Sequence, residues 1–156
     1  LLARMREEVP GIHLRTTLMV GHPGETEQDF EELVEFVKKI RFERMGAFAY
    51  SHEEGTYSFK HYSDEIPQEV KQDRLDYIMR IQENIAAEHS QSKIGQCLKT
   101  IIDREEEDYY IGRSEFDSPE VDPEILIQKN TILTRGEFYP IKINDAQAFE
   151  LYGSVL

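Results

Sequence analysis

The sequence predicts two units in series: an α/β portion over residues 1–92 and a small all-β barrel of the OB type over residues 93–156. Three observations predict this. Strand-like and helix-like segments alternate in the first unit, five short strand-like runs separated by polar turns fill the second, and the texture changes near Lys93. Because residues 1–92 are too few to close a parallel barrel, we expect about two β/α units of a larger α/β structure.

The first unit opens with LLARMREEVPG, which is typical of the last turns of an amphipathic helix that Pro10 and Gly11 end. The apolar, β-branched run IHLRTTLMV follows and predicts a strand buried on both faces. Because the sequence begins within a helix and without Met, we expect a fragment of a longer protein.

A helix with clear boundary signals comes next. Thr26 is its predicted N-cap, and Asp29 takes the place of the usual Glu in a capping box. Its predicted apolar face consists of Phe30, Leu33, Val34 and Val37. The run RMGAFAYS then predicts a second strand, and the order strand, helix, strand indicates a parallel pair.

A long polar loop over residues 51–66 leads to a second helix that begins at Pro67. The predicted inner face of this helix consists of Val70, Leu75, Ile78, Met79, Ile85 and Ala86.

The second unit contains five predicted strands, GQCLKTIID, DYYIGRS, EILIQK, FYPIKIN and FELYGSVL, which suggest a small antiparallel barrel. Strand alternation predicts a core of Leu98, Ile101, Tyr110, Ile125, Ile127, Ile141, Ile143, Leu151 and Val155. Cys97, the single cysteine, is predicted to be a small core residue.

The net charge is −13, with 11 Lys and Arg against 18 Asp and Glu in residues 1–92, and 7 against 13 in residues 93–156. Neither half offers the basic surface that nucleic-acid phosphates require, so the charge favours a basic partner or serves solubility alone. The chain shows no apolar run of membrane-spanning length and no signal-peptide pattern, so we expect a cytoplasmic protein.

Candidate site residues follow the two predicted strands, because ligands of parallel α/β folds bind at the carboxyl ends of strands. In GHPGET, Gly21 and Gly24 allow close backbone approach, and the helix after Thr26 offers N–H groups to a polar ligand. A purely structural strand-to-helix turn explains the same residues equally well.

Charged residues near this edge leave similar alternatives open. Arg15 lies in an apolar strand and needs either a structural ion-pair partner or a ligand carboxylate. His52, Glu53 and Glu54 fit an acid/base or metal cluster, or exposed loop charge. The five histidines have no metal-ligand spacing, and we assign no metal ligand and no catalytic residue.

RTTLMVGHPGETEQDFEEL, FERMGAFAYSHEEGT and the five-strand segment together resemble the C-terminal part of a radical S-adenosylmethionine methylthiotransferase. GHPGET resembles the turn after the fifth strand of the radical-SAM barrel, a partial TIM-type barrel, and the five strands resemble a TRAM domain. The resemblance covers nearly all 156 residues.

The resemblance implies an adenosyl-binding turn in which the two glycines admit the cofactor, Glu25 fixes the turn, and Arg15 holds the cofactor's charged end. The cofactor-binding residues so implied are Arg15, Met19, Val20, Gly21, Gly24 and Glu25. The substrate-side loop residues are Ser51, Glu53 and Glu54.

The family uses S-adenosylmethionine and two [4Fe–4S] clusters in the full-length enzyme. The cysteine motifs that hold the clusters are absent from this sequence. We therefore expect this fragment to bind no cofactor and to be inactive alone.

Two branches of the family differ in substrate. The tRNA-modifying branch usually carries Arg where Glu53 stands here, and its TRAM domain is basic. The acidic tail and Glu53 instead resemble the branch that methylthiolates an aspartate of a small-subunit ribosomal protein. We expect a basic ribosomal protein as partner rather than tRNA, with a tRNA methylthiotransferase or a non-catalytic acidic protein-binding module as the alternatives.

A two-strand slice of a barrel leaves strand edges unpaired and helix faces partly uncovered. We therefore expect the fragment to self-associate through residues 12–50, with the TRAM-like part outside the interface.

Overall fold

The computed structural model describes residues 1–119 and 121–156 and divides into two compact units, Leu1–Ile85 and Ala86–Leu156. The helices are α1 (Leu2–Glu8), α2 (Glu27–Ile40), α3 (Tyr57–His61) and α4 (Gln68–Gln91). The strands are β1 (Arg15–Val20), β2 (Arg44–Ala49), β3 (Cys97–Glu105), β4 (Tyr109–Ser114), β5 (Glu124–Gln128), β6 (Phe138–Ala146) and β7 (Glu150–Val155). Among the described residues, none of the helices has the length and apolar character needed to span a membrane.

The first unit contains the predicted strand–helix–strand unit. β1 and β2 pair in parallel, with Arg15 opposite Arg44 at one end and Val20 opposite Ala49 at the other. α2 connects the two strands, as a parallel pair requires. This part of the chain is therefore a small α/β unit, as predicted.

The prediction that β1 is buried on both faces is wrong. Val20 is fully buried, whereas Met19, its neighbour on the opposite face, is 53% exposed. Alternate residues of a strand point to opposite faces, and the apolar cluster of α2 and α4 covers only one of them. β1 consequently has one packed face and one open face.

The predicted boundary signals of α2 are confirmed. The Thr26 hydroxyl accepts the Asp29 N–H at 3.2 Å, and the Asp29 carboxylate accepts the Thr26 N–H at 2.9 Å, which completes the capping box. These hydrogen bonds lower the pKa of Asp29. Phe30, Val34 and Val37 are buried as predicted.

α1 is attached to the first unit by a half-buried ion pair. Arg6 donates to both carboxylate oxygens of Glu43, at 2.9 and 3.0 Å, and to the Arg41 carbonyl at 2.9 Å. Burial alone raises the pKa of Glu43, but the hydrogen bonds from the Leu14 N–H and Arg6 outweigh it and hold the pKa below its usual range. Glu43 therefore carries its charge inside the unit at neutral pH.

The two remaining helices differ from the sequence prediction. The loop over residues 51–66 contains the short helix α3, which Thr56 caps by accepting the Phe59 N–H at 3.2 Å. On α4, Met79 lies outside the buried face although the sequence predicted it inside. The buried face of α4 includes four residues spaced at helical intervals and three of them are polar: Lys71, Arg74, Ile78 and Gln82.

The second unit is a closed five-stranded barrel in the order β3–β4–β5–β7–β6. Each predicted strand is present. The expected all-antiparallel pairing is wrong at one interface, since β5 and β7 run parallel, with Ile125 opposite Leu151. β7 is inserted between β5 and β6, and this order brings β5 and β7 together in the same direction. Register shifts interrupt β3 and β6, the two longest strands of the barrel.

The barrel core agrees with most of the predicted positions. Its buried residues are Leu98, Ile102, Tyr110, Ile125, Ile127, Leu133, Ile141, Ile143, Ala146 and Leu151, with Val155 partly buried against them. The prediction that Ile101 belongs to the core is wrong, because the inward positions of β3 are Leu98, Thr100 and Ile102. The prediction that Cys97 is a core residue is also wrong, since Cys97 begins β3 and is exposed.

Candidate functional site

Two loops follow the carboxyl ends of β1 and β2. We name residues 21–26 the glycine turn and residues 51–66 the long loop. Because β1 and β2 are parallel, both loops leave the sheet at the same edge, which is where ligands of parallel α/β folds bind.

The glycine turn is held in a fixed conformation by Glu25. The Glu25 N–H donates to the His22 carbonyl at 2.9 Å, and the Glu25 carboxylate accepts the Gly21 N–H at 2.9 Å. Gly21 and Gly24 have φ angles of +76° and +88°, which residues with side chains rarely adopt. Glu25 thus sits where the resemblance implied a turn-fixing residue.

The two glycines have different surroundings. A Cβ on Gly21 would lie 2.4 Å from Cγ of Lys71, whereas a Cβ on Gly24 would meet nothing within 4 Å. A side chain of the protein therefore already occupies the space beside Gly21. Only Gly24 has open space on this side.

The open face of the sheet carries three cross-strand pairs: Arg15–Arg44, Thr17–Gly46 and Met19–Phe48. Met19 and Phe48 are 53% and 63% exposed and lie nearest the carboxyl edge. They form an apolar surface beside the glycine turn. Arg15 is at the opposite end of β1 and exposed, while the Val20 side chain faces the helices and is fully buried.

The long loop begins with the exposed residues Ser51, Glu53 and Glu54. The Ser51 hydroxyl donates to the Glu53 carboxylate at 2.6 Å, and the Glu53 N–H donates to the Ser51 carbonyl at 3.0 Å. The Thr56 hydroxyl donates to the Glu53 carbonyl at 2.8 Å. These bonds give the start of the loop a defined local turn that leads directly into α3.

A cluster of histidine and aromatic rings joins the two loops. The His22 ring packs edge-on to Tyr50 at 5.1 Å between centroids, and to Tyr62 at 5.8 Å. The Tyr50 hydroxyl lies 2.9 Å from Nδ1 of His52, whose ring lies 4.7 Å from that of Phe59. Metal-ligand spacing does not indicate this cluster, and the sequence-based interpretation of His52 joined it only to Glu53 and Glu54. The available signal was the position of a His within each loop motif, GHPGET and YSHEEGT.

Lys71 of α4 holds the end of the long loop. Its side chain is 2% exposed, and its Nζ lies 2.7 Å from both carboxylate oxygens of Asp64 and 5.1 Å from the centroid of Tyr50. Its stem packs on Gly21. Lys71 therefore contacts residues of both loops.

Arg74, one turn further along α4, holds the glycine turn. Its guanidinium donates to Glu25 at 2.6 Å and to Glu27 at 2.9 Å. Burial alone lowers the pKa of Arg74, but the hydrogen bonds to the two carboxylates outweigh it and raise the pKa above its ordinary value. The predicted inner face of this helix contains only apolar residues and therefore includes neither cation.

A groove of about 600 Å³ lies between α2 and α4. Its lining residues are Glu27, Phe30, Glu31, Val34, Glu35, Lys38, Val70, Asp73, Arg74 and Tyr77. Neither the long loop nor the glycine turn contributes to it. Because its Glu27 and Glu35 already pair with Arg74 and Lys38, we place the candidate site at the carboxyl edge of the sheet instead.

Metal-binding geometry is not found in the described ranges, 1–119 and 121–156, where no group of three or more His, Cys, Asp and Glu is placed to hold an ion.

Comparison with known proteins gives consistent matches. The family model described as the TRAM domain matches residues 94–156. The proteins named ribosomal protein uS12 methylthiotransferase RimO from Parabacteroides distasonis, Bacteroides thetaiotaomicron and Christiangramia forsetii are 74%, 66% and 51% identical over 156, 157 and 157 residues. Each alignment covers 100% of this chain and 36%, 36% and 35% of the relative.

The chain thus spans about a third of the length of the curated relatives it matches. Its whole length is similar to a part of proteins named RimO methylthiotransferases, and its residues 94–156 match the TRAM domain model.

Proposed function

We propose that this chain is part of a RimO-type radical S-adenosylmethionine enzyme that transfers a methylthio group to an aspartate of ribosomal protein uS12. The observation that carries the proposal is the 74% identity to such a protein over all 156 residues. In this proposal residues 1–92 are the C-terminal portion of a radical-SAM barrel and residues 93–156 are the TRAM domain. The parallel pairing of β1 and β2 supports the first assignment.

The candidate site is compatible with the adenosyl part of S-adenosylmethionine. Met19 and Phe48 offer an exposed apolar surface for an adenine ring, and the open space beside Gly24 lets a ligand approach the backbone. Val20 contributes through its backbone only, and Arg15 would take the charged methionyl end. Gly21 and Glu25 shape the turn.

When bound, the cofactor would supply the radical chemistry that breaks a C–H bond of the substrate. The residues of this chain would hold and orient the adenosyl part. The two [4Fe–4S] clusters need several thiolates, whereas this sequence has one cysteine, Cys97, so other parts of the full-length enzyme would hold them.

Charge supports a protein substrate over tRNA. The barrel segment, residues 93–156, has 7 Lys and Arg against 13 Asp and Glu. Such a surface attracts a basic ribosomal protein and repels the phosphates of tRNA. Ser51, Glu53 and Glu54, exposed at the start of the long loop, would contribute to the same substrate side. A ribosomal-protein substrate also places the activity in the cytoplasm.

The test is a deletion strain that lacks the gene for the full-length protein. We expect mass spectrometry of uS12 to show loss of the methylthio group, and the plasmid-borne full-length gene to restore it. Nucleoside analysis of tRNA from the same cells is the second measurement. Unchanged uS12 together with loss of a methylthiolated nucleoside would transfer the assignment to the tRNA branch.

A further inference from the structure

The charged groups of the two buried cations of α4 pair with carboxylates of different loops: Lys71 with Asp64 of the long loop, and Arg74 with Glu25 of the glycine turn. Lys71 and Arg74 lie one turn apart and are 1% and 8% exposed. We propose that Arg74 positions the glycine turn for the cofactor, and that Lys71 independently positions the long loop for the protein substrate. The inference rests on the proposed function for the identity of the two ligands.

The contact of Arg74 converges on a single carboxylate oxygen. Oε1 of Glu25 accepts both the Arg74 guanidinium, at 2.6 Å, and the Gly21 N–H, at 2.9 Å. Both side chains are largely buried, with 9% and 12% of their surface exposed. Removing the guanidinium would leave a buried carboxylate with one backbone donor, and a buried charge without its partner is costly. The glycine turn would then open to hydrate Glu25.

The contact of Lys71 anchors the other loop. Its ammonium group binds Asp64 through both oxygens at 2.7 Å, and Asp64 lies four residues before the start of α4 at Gln68. The side chain of Asp64 is 26% exposed, so it can return to water when the ammonium group is removed. The loop end would then be released while the lysine stem still packs on Gly21.

The two contacts share no hydrogen-bond partner, so each can be removed alone. Lys71→Met keeps most of the apolar stem and removes the charge. Arg74→Met does the same at the second position. A matched control is Gln82→Met, because Gln82 is a buried polar residue of the same helix that donates to the Phe42 carbonyl at 3.0 Å and not to either loop.

The first measurement is hydrogen exchange of the full-length protein, which requires no ligand. In Arg74→Met we expect peptides that cover the glycine turn to exchange about tenfold faster or more, and peptides of the long loop to remain unchanged. Lys71→Met should show the reverse. Gln82→Met should change neither segment.

The second measurement is binding, by equilibrium dialysis of S-adenosylmethionine and by titration with purified uS12. We expect Arg74→Met to lower the affinity for S-adenosylmethionine by about tenfold, because the turn must then be ordered on binding. Its affinity for uS12 should be unchanged. Lys71→Met should lower the affinity for uS12 by a similar factor and leave the affinity for S-adenosylmethionine unchanged.

The outcomes separate this inference from the proposed function. A wild-type protein that binds neither ligand would contradict the proposed function, while hydrogen exchange would still decide whether two independent contacts exist. Equal acceleration of both segments in both variants, or the same response in Gln82→Met, would show a general loss of stability and overturn the inference. Wild-type binding that neither variant weakens would overturn it as well.

Discussion

Gly21→Ala should destabilise the first unit much more than Gly24→Ala. Both glycines have positive φ angles, so alanine costs about 1–2 kcal/mol at either position through backbone strain. Only at Gly21 does the new Cβ overlap another group, since it lies 2.4 Å from Cγ and 3.0 Å from Cβ of Lys71. The overlapping atoms belong to the backbone end of a buried side chain that Asp64 holds at its other end.

Lys71 therefore cannot move aside without moving α4 or losing Asp64. Overlap of this kind in a packed interior costs about 1–3 kcal/mol more. The expected loss is about 2–5 kcal/mol for Gly21→Ala and about 1–2 kcal/mol for Gly24→Ala.

The assay is urea denaturation of the 156-residue chain followed by helical circular dichroism, since the helices of the described residues all lie before residue 92. Gly24→Ala is the matched control. The double variant Gly21→Ala with Lys71→Ala should recover part of the loss, because the overlapping Cγ is gone. Two single glycine variants that agree within about 0.5 kcal/mol would refute the reasoning.

Three further predictions concern charge, core and assembly. The pKa of Glu43 is lowered in the folded state, so its ion pair contributes stability above the unfolded-state pKa, about 4.3, and this contribution is lost as the pH falls through the lower folded-state pKa. In urea denaturation, the free energy of unfolding of Glu43→Gln should therefore fall less steeply toward acid pH than that of the wild type. An unchanged pH profile would contradict this. In the barrel, Ile143→Ala should lower the stability against thermal unfolding by about 2–5 kcal/mol, because it empties part of the core. Cys97→Ser should change it by less than about 0.5 kcal/mol, and equal losses in the two variants would be inconsistent with the exposed cysteine. Sedimentation of the 156-residue chain should detect association through residues 12–50 that Phe48→Ser weakens by removing an exposed apolar group, and a monomer at micromolar concentration would exclude it.

Sequence alone predicted the elements whose signals are local. The capping box at Thr26 and the helical spacing behind it determined α2, and strand alternation found all five barrel strands. The core prediction failed on β3 because the inward position between Leu98 and Ile102 is Thr100, a polar residue that interrupts the apolar pattern and bonds the Leu98 carbonyl. Apolar alternation does not identify a core position that is occupied by a polar residue whose side chain hydrogen-bonds the backbone.

The place of the candidate site could be predicted, but not the contacts that hold it. The parallel order of β1 and β2 indicated the carboxyl edge directly. Arg74 pairs with Glu25, which lies far from it in sequence, and no periodicity in a single sequence indicates such a partner. The burial of Lys71 likewise depends on Asp64 and on the absence of a side chain at Gly21.

The insertion of β7 between β5 and β6 has a consequence for folding kinetics. β3 pairs with β6, which is distant in sequence, with Cys97 opposite Lys142. One side of β5 remains unpaired during folding until β7 pairs with it. Contacts between segments so distant in sequence slow folding, whereas the first unit pairs strands that one helix connects. We therefore expect the barrel to be the slower of the two units to form. An intermediate without β7 would expose two strand edges at once, which makes it the species in which this protein is most prone to aggregate.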